Sequence, residues 1–95
     1  MFRYFTAKTR FMTCKITHSP KLENGAREII EVQEIGKFEA QGLAEICTKW
    51  YNDNCPLVNK DNCADTDIMT YYVTMSVSTA KRFKEKSMAL NTKLI

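Results

Sequence analysis

Few groups in this chain are able to do chemistry. The single histidine, His18, stands four residues after Cys14, and a thiol beside an imidazole is the pairing that nucleophilic catalysis uses. Both side chains project to the same side of an extended segment, yet four residues span ~13 Å there, too far for proton transfer. Cys14 is therefore expected to be a core thiol and His18 a turn histidine. Together with Cys55 and Cys63 they supply the atom types of a zinc tetrahedron. Zinc modules, however, pair their ligands at about two to four residues, and a longer stretch separates Cys55 from Cys63. Asn59, Asp61, Cys63, Asp65 and Asp67 alternate like the ligands of a calcium loop, but Ala64 stands where its glycine belongs and Thr70 where its bidentate glutamate belongs. No nucleophile elbow, phosphate-binding loop, dinucleotide fingerprint or zinc-protease motif is present. The expectation is a non-enzymatic protein without metal or cofactor.

Two charged constellations remain, and both point to binding. Residues 1–21 carry a net +5, residues 22–67 a net −6 and residues 68–95 a net +4, within an overall +3. Such blocks create surfaces of opposite sign that attract complementary partners. In the acidic block Glu28, Glu31, Glu34, Asp61, Asp65 and Asp67 are candidates for a surface that enters the basic groove of a partner protein and occludes it. In the basic blocks Tyr4, Lys8 and Arg10 form one row of a strand, Tyr72 extends it from a later strand, and Lys81, Arg82, Lys84 and Lys86 cluster on a helix. Aromatic and cationic groups on a sheet face stack bases and neutralise phosphates, so this row is the alternative, a nucleic-acid site. The glutamates of the second strand oppose it, because they repel phosphate.

The elements that position these residues follow from periodicity. At 95 residues, with 44% hydrophobic, the chain has room for one domain and one modest core. Residues 2–17 are rich in aromatic and β-branched types and read as one long strand. Its apolar phase changes from odd (Phe5, Ala7, Phe11) to even (Met12, Cys14, Ile16), which predicts a bulge near Phe11 and Met12. Turn formers from His18 to Gly25, including Asn24-Gly25, lead into a second strand over 28–35. From Phe38 to Asn54 the period becomes helical, with Leu43, Ile46, Cys47 and Trp50 as the face expected to pack on the sheet. Pro56 ends that helix, and residues 56–67 form a polar loop. Residues 68–77 alternate as a third strand, Ser78 caps a last helix, and Ala80, Phe83, Ser87, Leu90 and Leu94 make its apolar stripe.

The fold class expected is α+β, a single small domain in the order β-β-α-β-α, with an antiparallel or mixed sheet and both helices packed on one face. An exposed edge strand, or the Leu90/Leu94 stripe, would make a homodimer the third reading. No leader or long apolar run is visible and four cysteines read as reduced thiols, so the expected location is the cytoplasm.

The first strand, the Glu23-Asn24-Gly25 turn, the second strand and Phe38-Glu39-Ala40 at a helix start resemble the first half of small uncharacterised proteins of phages and mobile elements. That resemblance implies a compact accessory or anti-host protein, acting in the host cytoplasm if phage-encoded. It assigns no role to any residue.

Overall fold

A computed structural model of the chain describes residues 8–94, with side chains described as far as Ser87. Tyr4, the side chains of Leu90 and Leu94, and the first part of the expected long strand lie outside the described residues. The elements are β1 (Thr9–His18), β2 (Ile29–Ala40), α1 (Ala44–Asn54), β3 (Met69–Ser76) and α2 (Val77–Leu94). The architecture is α+β in the expected order, and the sheet is wholly antiparallel, with strand order β2-β1-β3.

The central position of β1 explains its sequence. A strand with neighbours on both sides and cover on both faces buries odd and even positions alike, and Phe11, Met12, Thr13 and Cys14 are all buried. The change of apolar phase therefore needs no bulge in β1, whose register against β3 runs unbroken from Phe11–Ser76 to His18–Met69. Both irregularities of the sheet lie instead between β1 and β2, at Thr13/Cys14 and Thr17/His18. There β2 holds the extra residues, Ile35 and Ile30.

The turn joining the two strands forms as its residues dictate. Asn24 Oδ1 accepts the Ala26 N–H at 2.9 Å, and Gly25 takes φ +82°, a conformation that a side chain disfavours. β2 then runs five residues further than expected, because Phe38 remains a strand residue opposite Phe11, their rings 5.6 Å apart. The helix consequently starts after Gly42, whose φ of +61° makes it a turn residue and not a helix-interior glycine.

The core lies on one face of the sheet. Met12, Cys14 and Ile16 of β1, Ile29 and Val32 of β2 and Met75 of β3 enclose it, and α2 closes it with Ala80 and the half-buried Val77 and Phe83. Ser76, not Ser78, caps α2: its hydroxyl accepts the Thr79 N–H at 3.3 Å. On the opposite face the Thr13 and Thr74 hydroxyls, buried and paired across the strands, hydrogen-bond at 2.8 Å.

The expectation that both helices share one face is corrected. α2 covers the core face, whereas α1 runs along the outer edge of β3 and stacks Tyr51 on Tyr72, centroids 5.3 Å apart, on the other side of the sheet. The reason is the open backbone of that edge. Asn52 Nδ2 donates to the Tyr72 carbonyl and its Oδ1 accepts the Tyr72 N–H, both at 2.9 Å. Thr48 Oγ1 accepts the Thr74 N–H at 2.7 Å. Beyond the helix, Asn59 repeats the arrangement on Thr70, its Oδ1 accepting the N–H at 2.7 Å and its own N–H donating to the carbonyl at 3.1 Å. Four helical residues rise ~6 Å and two strand residues ~6.8 Å, so one cap per helical turn meets every second residue of the strand.

Candidate functional site

With Thr48 and Asn52 turned toward β3, the apolar stripe of α1 faces solvent. No residue of α1 is buried. Ile46 is 63% exposed, Trp50 57% and Leu43 40%, and Leu57, just past the end of the helix, is 60% exposed. Of the four residues expected to pack, Leu43, Ile46 and Trp50 thus face outward, while Cys47 is half-buried. Leu43, Ile46 and Trp50 stand at i, i+3 and i+7, which aligns them in one row along the helix. The Lys49–Asp53 ion pair, at 2.5 Å, flanks the row. Tyr51 meets Trp50 edge-on at 5.2 Å and stacks on Tyr72 on its other side, so the indole is braced from below. Between α1, the following loop and β3 lies an open groove of about 510 Å³, lined by Glu45, Asp53 and Asp61 and by Lys49 and Lys60.

The six acidic candidates do not form one surface. Glu31 stands opposite Thr17 and Glu34 opposite Cys14, which places them on opposite faces of the sheet. Glu34 pairs with Lys84 at 3.4 Å, and Asp65 with Lys21 at 3.1 Å. Asp67 turns its carboxylate onto the Ala64 N–H at 3.2 Å. Glu28 lies at the hairpin end of the sheet, its backbone held by Ser19. Asp61 alone of the six lines the groove beside α1, where Glu45 and Asp53 join it.

The basic candidates divide in the same way. Tyr72 is only 8% exposed, covered by Tyr51, and burial and the neighbouring Cys55 push its phenol above the ordinary range. It pairs with Lys15, on the face opposite Met12, and therefore extends no exposed row with Arg10. The structure instead brings Arg10 together with Lys81 at the start of α2, and Lys81 and Lys84 together with Lys37 of β2. Lys8, Arg82 and Lys86 are exposed.

Among the described residues no three His, Cys, Asp or Glu side chains come together in a way that could hold a metal ion. All four cysteines are free. Burial, with Glu34 adding to it, raises the Cys14 thiol above its ordinary value. His18 Nε2 is engaged by the Tyr71 hydroxyl at 2.8 Å, not by Cys14.

Sequence reasoning gave no role to Arg27, yet the loop with calcium-like spacing is organised around its guanidinium. Arg27 donates to the carbonyls of Ser19 at 3.0 Å, Ala64 at 2.8 Å and Asp67 at 2.5 Å, joining the hairpin to the loop. A planar fork of donors suits several carbonyls at once, so the cation of this loop is a side chain. The only signal in the sequence was a lone arginine within the acidic block.

Comparison with protein families, with curated proteins and with solved structures finds no match to this chain.

Proposed function

We propose that the protein is a non-enzymatic interaction module, a small regulator or inhibitor that occludes the surface of a partner protein, and that α1 makes the contact. The observation that carries this reading is the orientation of α1, which spends its polar face on the β3 edge and presents Leu43, Ile46 and Trp50 to water. Single exposed apolar residues are ordinary on any protein; a row of them at helical spacing, ending in a braced tryptophan, is the form in which a helix enters a hydrophobic groove. Tryptophan leads the residue types that dominate binding energy when buried at an interface. Asp53, three residues after Trp50 and paired with Lys49, borders the row, while Glu45 and Asp61 line the groove on the β3 side of the helix together with Lys60. The class of accessory proteins found in phages and mobile elements, acting in a cytoplasm, fits such a module. No helix among the described residues is long and apolar enough to cross a membrane.

Site-specific photo-crosslinking tests the reading. A photoreactive residue replacing Ile46 is expected to capture one protein in cells, and the same residue replacing Lys86 is not. With that protein purified, Trp50→Ala should weaken binding at least about thirty-fold, a hot-spot loss of about 2 kcal/mol. Equal capture at both positions, or equal affinity of Trp50→Ala and the parent, overturns it.

A further inference from the structure

A second surface, on the other side of the sheet from α1, has a different chemistry. Two cavities adjoin along the N-terminal half of α2 and share Val77 and Lys81. The first, of about 410 Å³, is lined by Thr9, Arg10, Ser76, Ser78 and Lys81. The second, of about 290 Å³, has an apolar floor of Met12, Val77 and Ala80 and a rim of Lys37, Lys81 and Lys84, with Glu34 and Glu85. Three elements supply the cations: β1 gives Arg10, β2 gives Lys37, and α2 gives Lys81 and Lys84. Lys81 and Lys84, at i and i+3, lie on one side of the helix, the side toward β2. Lys84 meets Glu34 in an exposed pair at 3.4 Å and Glu85 also lines the rim, so the two cavities together hold four cations against two carboxylates, an excess of positive charge from Arg10 to Lys37.

We propose that this groove binds a single-stranded nucleic acid, with Arg10, Lys37, Lys81 and Lys84 on successive phosphates and an unpaired base over the floor of Met12, Val77 and Ala80. A cation-lined path matches a polymer that repeats its negative charge, whereas an isolated anion would need only one of the two cavities. The apolar floor distinguishes a single strand from a duplex, because only an unstacked base can leave the backbone and enter a cavity of this size. The floor has no hydrogen-bonding side chain, so bases are read weakly and homopolymers bind alike. This site stands on residues that the α1 reading does not use.

Fluorescence anisotropy with labelled single-stranded oligonucleotides of mixed sequence tests it. Four phosphate contacts on a single strand give a log–log salt slope of about −3, so affinity should fall about fifty-fold between roughly 50 and 200 mM salt. Lys81→Gln with Lys84→Gln should halve that slope, leaving a fall of about seven-fold, while Lys60→Gln, on the α1 side, should leave it unchanged. In the unmodified protein, amide shifts on titration should centre on Arg10, Met12, Lys37 and Val77–Lys84, a readout independent of any variant's folding. Shifts centred elsewhere, a slope near zero, tighter binding of duplex than of single strand, or binding of anionic vesicles or acidic peptides without binding of the oligonucleotide would each overturn the proposal.

Discussion

His18 shows how a residue chosen as a chemical candidate acquires a structural role. It ends β1 opposite Met69, its ring stacked on Tyr71 at 5.4 Å and its Nε2 bonded to the Tyr71 hydroxyl. Nδ1 is buried without a hydrogen-bond partner. A second ring proton would therefore be placed where nothing accepts it, and burial, with the charge of Arg27 added, lowers the pKa below the ordinary 6.5. The unfolded chain then takes up a proton more readily than the folded one. Stability is unaffected by this group above pH 6.5, falls as pH drops from 6.5 through the lower folded value, and levels off beneath it. His18→Gln should remove that component, so urea midpoints of the parent and variant, measured at several pH values from about 7.5 to 5.5, should differ by an amount that changes across this window. A difference that stays constant with pH would show that the imidazole is not what titrates.

At the scale of elements, the strands were legible and the placement of α1 was not. Period-two alternation located β3, the Asn24-Gly25 turn marked the hairpin, and Pro56 marked the end of α1, with Cys55 extended before it at φ −101°, ψ 123°. Periodicity also identified the apolar face of α1, but it states which face is apolar and not which face packs. What decided the packing was the edge of β3, whose unpaired N–H and carbonyl groups require partners that apolar side chains cannot supply. Thr48, Asn52 and Asn59 met that requirement, and their spacing was visible in the sequence without the strand register that gives it meaning. The groove along α2 was half legible for the same reason: Lys81 and Lys84 were read as a cluster, while Arg10 and Lys37 join them only through the register of β1 with its neighbours. If Asn52 stands in for a strand, Asn52→Ala strands both polar groups of Tyr72 and should cost about 1–3 kcal/mol in urea denaturation. Asn54→Ala, which removes only an exposed bond to the Trp50 carbonyl, should stay within about 0.5 kcal/mol. Equal effects of the two would mean that the caps on β3 carry no special weight.

Over the whole molecule, the two sheet edges are defended by different means. The β3 edge is closed by α1 and Asn59, and the β2 edge carries two bulges together with Glu31, Glu34, Lys37 and Glu39, features that disrupt pairing with another strand. Among the described residues, joining sheets edge to edge into a homodimer is therefore opposed at both sides. Edge defence of this kind predicts a gain of association when it is removed. Asn52→Ala combined with Asn59→Ala frees both backbone groups of Tyr72, the Thr70 N–H and the Ile68 carbonyl together, a template for one strand of a second copy. Size-exclusion chromatography with light scattering should then show a dimer that forms with rising concentration in the double variant and not in the parent. Adding Thr70→Lys, a charge on the opened edge, should return it to the monomer, whereas adding Trp50→Ala should not. Reversal by Trp50→Ala instead would assign self-association to α1 and show that the caps on β3 serve stability alone.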